Sequence, residues 1–394
     1  MEFGEQDEKW VKAAVVGGLW ASVEVIVGSF LHNTRLPFAG TILAFTGTVL
    51  LLGFYSVWPV KGLIWRAGLI TAIMKSISPS AIILGPMTGI LLEALLVETV
   101  LRIGGKNLFS FIIASILSIS SALLHKIVSL LIFYGFDLIQ VYVNMVNFAL
   151  KQIKMPQAGA MEILYVLLAF YVVFGIVAGL TGYYTGKRVT VLKKSGKYNL
   201  EIKESPAMKD FFEIKNGNKT YLFLIAVHSA VIPAVLFLIN YADITLAFSI
   251  MTLYMVLSGY RYRYSLRRLR KPVFWLQLVV IVLLSAFFWE NGNGALTGFS
   301  TEGFYNGMEM AMRALFIVVA FTSLSVELRN RKVRNILYNA GLGKFYRAVS
   351  MAFGALPLMI GMLPTSKEII RSPLKSFLRP LVMADKWVEV FTNE

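Results

Sequence analysis

The chain contains no cysteine. Disulfides, thiolate nucleophiles, iron–sulfur clusters and cysteine-based zinc sites are therefore excluded. Histidine is almost as scarce. His32, His125 and His228 lie far apart, so a multi-histidine metal site is not expected. Charge is also sparse: charged residues make up 15% of the chain against 57% apolar, and mean hydropathy is +0.68. A soluble domain carries about a quarter charged residues, so this composition belongs to the membrane class. Acids are the scarcer sign, 22 against 38 bases, giving a net charge of +16.

Sequence signatures of common enzymes are missing too. A phosphate loop needs an upstream glycine and a Ser or Thr after its Gly-Lys pair, so that backbone N–H groups can cradle phosphates. Gly105-Lys106-Asn107, Gly186-Lys187-Arg188 and Gly343-Lys344-Phe345 all fail that test. Neither Gly-x-Ser-x-Gly nor His-Glu-x-x-His occurs. No ATPase, no common hydrolase and no bound cofactor are expected of this chain, and we read it as a non-enzyme.

What is present is a set of long apolar runs. In the front block they fall at 10–31, 40–59, 62–76, 82–102, 108–134 and 162–186; in the back block at 221–239, 244–260, 273–289 and 304–328. Such runs are long enough to cross about 30 Å of hydrocarbon, apart from the short third run, which carries Arg66. The expectation is an all-α polytopic membrane protein of about ten spans in two bundles. A basic stretch, 191–219, separates a front domain (1–190) from a back domain (220–394). Segment 137–160 is interrupted by Asp137, Gln140, Asn144, Asn147, Lys151 and Lys154, and reads as an interfacial helix. The stretch 351–363 is too short to span, and the last thirty or so residues read as amphipathic.

Lys and Arg mark the cytoplasmic side of membrane proteins. With the N-terminus inside, Lys61, Arg66, Arg102, Lys106, the 187–219 stretch, Arg261 to Lys271 and Arg329 to Arg334 all fall inside. Arg35, Lys75, Lys151 and Lys154 are the exceptions. Both chain ends are expected in the cytoplasm of a prokaryotic plasma (inner) membrane. The basic residues sit in short segments beside spans, where they meet anionic lipid, and no aromatic-plus-basic module accompanies them. Nucleic acid is therefore not an expected partner.

Charges at membrane depth are costly unless paired or hydrated. Glu24, Glu93, Glu98, His125 and Lys126 lie in front-block runs. Glu93, His125 and Lys126, with Asn33, Arg35 and Tyr165, are the candidate lining of a solute pocket open to the outside; the alternative is a Glu–Lys pair that locks the bundle. Glu98, near the cytoplasmic end of its run, is expected to snorkel. His228 reads as a packing residue. On the first run Ala13, Gly17 and Ala21 lie four apart on one helix face, and Ala14, Gly18 and Ser22 make a neighbouring stripe. Small faces allow close helix approach, either for docking of another membrane domain or for ordinary packing.

The back block carries Ser300-Thr-Glu-Gly-Phe, Met312-Arg313-Ala314-Leu315, Thr322-Ser323, Ser325-Val326-Glu327-Leu328, Asn335-Ile336-Leu337, Gly341-Leu342, Ala348 and Leu356-Pro357. Over roughly 220–385 this resembles the transmembrane T component of energy-coupling-factor (ECF) vitamin transporters. Over about 10–190 the chain resembles the substrate-binding S component of the same systems. There Ala13, Gly17 and Ala21, Leu36-Pro37-Phe38-Ala39-Gly40 and Gly85-Pro86-Met87-Thr88-Gly89 carry the likeness. The resemblance implies an S–T fusion working as the membrane subunit of an ABC-type importer. It implies that Ala13, Gly17 and Ala21 dock the S-like half onto the T-like half. It also implies two separate ABC-type ATPase subunits that grip amphipathic helices near 329–350 and 365–380. Arg313, Arg329, Arg331, Arg334, Arg347 and Arg371 are the ATPase-coupling candidates. One departure is plain: Ile370-Arg371-Ser372 lacks the alanine of the family's Ala-Arg-small triplets. Other readings are a proton-coupled secondary transporter using Glu93 and His125, an integral-membrane enzyme on a lipid-like substrate, and a membrane scaffold.

Overall fold

A chain this apolar must satisfy its backbone within each segment, and helices do that without partners. The computed structural model describes residues 5–33, 38–75, 84–194, 221–241, 244–263, 266, 269, 272–289, 298–328, 335–336, 339, 342–362 and 373–392. Among these the fold is all-α, with no strand. The front helices are α1 (Glu5–Asn33), α2 (Ala39–Val57), α3 (Leu63–Lys75), α4 (Leu84–Gly104), α5 (Leu108–Tyr134), α6 (Asp137–Gln152) and α7 (Ala160–Lys194). They are followed by α8 (Leu222–Tyr241), α9 (Ile244–Arg261), α10 (Pro272–Phe288) and α11 (Thr301–Leu328). The last three are α12 (Gly343–Met362), α13 (Pro373–Val382) and α14 (Ala384–Thr392).

Four helical stretches are long and apolar enough to cross a membrane: Ala39–Val57, Leu108–Tyr134, Ala160–Lys193 and Thr301–Leu324. Phe223–Ile239 and Phe274–Phe288 are apolar but shorter. The run expected at 108–134 coincides with α5. Helix α7 outlasts its run, continuing through Lys187 and Arg188 to Lys194. The start of the basic stretch is thus helical; residues 195–220 lie outside the described residues.

The helices sort into two compact units that do not follow chain order. Unit 1 takes in the described residues of Met1–Leu124, Ala169–Lys215 and Arg334–Glu394; unit 2 takes in those of His125–Leu168 and Asn216–Val333.

In unit 1, α1 is the central helix and packs against α2, α3, α12 and α14. Its core includes Trp20, Phe54, Ile70, Ala352, Met359, Leu381, Trp387 and Phe391. The stretch 351–362, too short to span, belongs to α12, where Met351, Ala352, Phe353, Ala355 and Met359 are buried; residue 363 lies outside the described residues. The C-terminal helices also bury apolar side chains here rather than lying free. Trp58 at the end of α2 donates its indole N–H to Asp385 at 3.0 Å, and Lys193 pairs with the same carboxylate. Arg66 is accommodated inside α3 by stacking, its guanidinium 5.2 Å from the Trp10 ring centre and 4.7 Å from that of Trp65.

In unit 2, α11 packs against α8, α9 and α10, and α10 packs against α6. Two of the polar residues of α6, Asn144 and Asn147, are buried fasteners. The Asn144 amide donates to the Phe288 carbonyl at 2.9 Å, capping an orphan at the end of α10. Asn147 both accepts from the Ala158 N–H and donates to the Ala158 carbonyl, at 2.8 and 3.1 Å. That two-point clamp fixes the turn into α7.

Candidate functional site

In unit 1 the notable chemistry lies on α1 and the helices around it. Positions 17, 21 and 24 recur at helical spacing, so Gly17, Ala21 and Glu24 share one face of α1. That face meets α3. A methyl group at Gly17 would sit 2.8 Å from the Ala67 carbonyl oxygen and 2.9 Å from Ile70 Cβ. The Thr71 hydroxyl bridges to the Gly17 carbonyl at 3.0 Å. One turn further on, Lys75 at the end of α3 reaches back to the Glu24 carboxylate at 3.1 Å and to the Glu24 carbonyl at 2.5 Å. Both side chains are buried. Lys75, which broke the expected charge asymmetry as an outside residue, is therefore an interior counter-ion and not a loop charge.

The adjacent face of α1 meets α12. A methyl group at Gly18 would lie 2.9 Å from the Met359 sulfur and 3.6 Å from Ala352 Cβ. Of the two small-residue stripes, the one containing Gly17 abuts α3, and the one containing Gly18 abuts the first described helix after α11. Ala13 and Ala21 are fully buried.

Two further carboxylates of unit 1 lie on α4. Glu98 does not snorkel. It is buried, and its two oxygens accept the N–H groups of Gly62 and Ile64 at 2.6 and 3.0 Å. A carboxylate there satisfies the orphan donors at the start of α3 and complements that helix's positive end. Glu93 is 8% exposed and interacts electrostatically with Glu24. Among the described residues no ion pair reaches Glu93.

The other expected pocket residues fall elsewhere. His125, Lys126 and Tyr165 belong to unit 2; His125 is half-buried, Lys126 exposed and Tyr165 62% exposed. The Asn33 side chain and Arg35 lie outside the described residues. Of the coupling candidates, Arg347 is exposed on α12, while Arg329, Arg331, Arg334 and Arg371 lie outside the described residues. Arg313 is buried inside α11. Its Nε donates to the Ile132 carbonyl at 3.2 Å, at the end of α5, and Glu309 and Asp137 act on it electrostatically. It braces the turn between α5 and α6 inside unit 2.

Unit 2 holds a buried hydrogen-bond network around His228, the residue expected to serve packing. His228 on α8 is bonded through Nδ1 to the Tyr254 hydroxyl of α9 at 2.6 Å and through Nε2 to the Tyr262 hydroxyl at 2.9 Å. Tyr262 donates to Glu327 of α11 at 2.7 Å. Arg261 reaches the same carboxylate oxygen at 3.3 Å, and the Tyr221 backbone N–H donates to the other at 3.2 Å. Tyr262, just past the end of α9, has its phenol pushed well above its ordinary range, first by burial and then by the carboxylate it serves. The signal available in the sequence was Tyr254 inside an apolar run, with Tyr262 and Glu327 each beside a helix end.

Among the described residues no group of three or more His, Asp or Glu side chains is arranged to hold a metal ion. Comparison of the chain with protein-family models, with characterised proteins and with solved structures finds no match.

Proposed function

We propose that this chain is the membrane subunit of an ECF-type importer, with an S-like solute-binding part and a T-like coupling part in one polypeptide. It takes a small, vitamin-like solute from outside a prokaryotic plasma membrane and works with two separate ABC-type ATPase subunits. In this reading the ten spans are α1–α5, α7 and α8–α11, α6 is an accessory helix, and α12–α14 lie on the cytoplasmic side with both chain ends. Glu93, buried on α4 without an ion pair among the described residues, is the residue best suited to meet a solute. Asn33 and Arg35 remain its proposed companions. Arg347 on the exposed side of α12, with Arg329, Arg331, Arg334 and Arg371, is the proposed grip for the ATPases.

The single observation that supports this reading most is the contact of Gly18 with Met359 and Ala352. The Gly18 stripe of α1 lies against α12, whose first turns overlap the segment 329–350 that the resemblance assigns to coupling. An ATP-driven shift of α12 would reach α1 directly. In this reading Gly18 takes the docking role in place of Ala13, Gly17 and Ala21, because the face of Gly17 meets α3.

Affinity purification from native membranes tests the proposal. Co-purifying ABC-type ATPases, and solute uptake in membrane vesicles that stops when ATP is withdrawn, are the expected results. Uptake that persists without ATP and collapses with the proton gradient would instead establish a proton-coupled secondary transporter.

A further inference from the structure

Side-chain contacts tie the ends of several helices together at one end of unit 1. Trp10, near the start of α1, packs on Trp65 of α3 and on Phe345 of α12, with ring centres 6.0 and 5.5 Å away. Lys12 of α1 and Lys193 of α7 both approach the ring of Trp58 at the end of α2, at 5.8 and 5.9 Å. The Tyr55 hydroxyl of α2 donates to the Leu101 carbonyl of α4 at 3.3 Å, and Lys106, just before α5, donates to the Ser56 carbonyl at 2.5 Å. Indole and phenol rings set beside Lys and Arg are the composition of a membrane–water boundary.

Most of the cations here are already committed. Lys12 pairs with Glu8, and Lys193 with Asp385. Lys106 is held by the Ser56 carbonyl, and Lys187 lies 4.5 Å over the Tyr183 ring. Arg66 differs. Its half-buried guanidinium is wedged between the indoles of Trp10 and Trp65, and Nη1 donates to the Gly62 carbonyl at 2.8 Å. Gly62 has φ +87°, and a Cβ there would overlap Nη1, so only glycine makes this turn and admits the guanidinium. Arg66 Nε is enclosed without a hydrogen-bond partner. Glu98 acts on Arg66 electrostatically, but both of its oxygens are taken by the N–H groups of Gly62 and Ile64. Among the described residues no carboxylate pairs with Arg66, or with Lys61, which is exposed beside Gly62. Arg66 also lies in the first turn of α3, the positive end of that helix, where a cation gains nothing from the dipole. One carboxylate therefore stands against a helix start and two cations, and the protein supplies no anion for the guanidinium.

We propose that Arg66, stacked between Trp10 and Trp65, is the seat of an anionic phospholipid headgroup, with Lys61 as the second cation. Stacking fixes the plane of the guanidinium and leaves its edge to hydrogen-bond, and the oxygens of a phosphodiester match that planar fork. The two indoles and Phe345 provide an apolar flank along which acyl chains lead away, a surface that a free phosphate ion would not use. The inference needs a bilayer around unit 1 and does not depend on the proposed transport function.

The test uses the full chain purified in neutral detergent, with phosphatidylglycerol and phosphatidylcholine as the probes. Native mass spectrometry should show phosphatidylglycerol retained in preference to phosphatidylcholine. Arg66→Gln should weaken that retention about tenfold or more, the loss expected of a charge-assisted hydrogen bond. Arg66→Lys keeps the charge without the fork and should fall between. Lys61→Gln, on an exposed side chain, should weaken retention less, and it carries the test should Arg66→Gln fail to fold. Lys187→Gln combined with Arg188→Gln removes two charges from α7 and should leave retention as it is. Equal retention of the two lipids, or a loss in the Lys187/Arg188 variant as large as in Arg66→Gln, would overturn the proposal. Displacement of phosphatidylglycerol by inorganic phosphate would overturn it too, by making this a site for the free ion.

Discussion

Gly17 and Gly18 are neighbours on α1, yet a methyl group added at one meets a backbone carbonyl and at the other a thioether. The backbone of α3 cannot step aside without moving the helix. The Met359 side chain has three rotatable bonds and a soft sulfur, so it can adjust. One face of α1 is thus bolted, by close backbone contact, by Thr71 and by the buried Glu24–Lys75 pair. The other face is cushioned. A helix that must stay fixed to its own bundle while another helix shifts against it needs two such faces, and small residues alone do not tell them apart.

Four substitutions would break or sharpen that contrast. The largest effect is expected from Lys75→Met, which strands the Glu24 carboxylate in the interior. Removing one partner of a buried pair costs roughly 3–5 kcal/mol. Thermal unfolding of the purified protein would show the loss, and adding Glu24→Gln should restore most of it. A double variant as unstable as the single one would mean that the ion pair does not fasten this face. Next comes Gly17→Ala. Overpacking against an immobile partner costs about 1–3 kcal/mol, read from the same melting curves.

Gly18→Ala should cost less than about 1 kcal/mol, because a flexible methionine end receives the new methyl. If Gly17→Ala and Gly18→Ala melt alike, the distinction between the faces fails. The smallest effect is expected from Asp385→Asn. Its carboxylate pairs with Lys193, but its side chain is 60% exposed, and solvent-exposed pairs contribute about 0–1 kcal/mol. The amide oxygen can still accept from Trp58, so the melting temperature should barely move. A large drop would show that the end of α2 depends on the C-terminal helices electrostatically and not through packing.

Helix identity and approximate ends were legible because apolar runs of span length leave few alternatives; α5 is the clear case. The partners of polar groups were not legible. Asn144 and Asn147 read as marks of a wet surface, but each finds its acceptor on a segment distant in sequence or around a turn, and such pairing has no periodic signature. Lys75 read as an exception to charge asymmetry for the same reason, since its counter-ion is fifty-one positions away. Glu98 read as a snorkelling residue because run length gives depth but not which helix start lies opposite. The small-residue pattern on α1 was visible as two stripes, yet choosing between them required knowing that α3 offers backbone where α12 offers a side chain. The hydroxyl partners of His228 were not legible either, because Tyr254 and Tyr262 lie twenty-six and thirty-four positions away.

Unit 1 is also assembled from both ends of the sequence, with α12 and α14 packed on α1. During synthesis the first four helices leave the ribosome long before residues 343–392 exist. Until then the cushioned face of α1 and the apolar side chains that pack with Trp387 and Phe391 stay uncovered. Completion of this core is therefore a late event in biogenesis, and a nascent chain stalled after α11 would display an unfinished, association-prone surface.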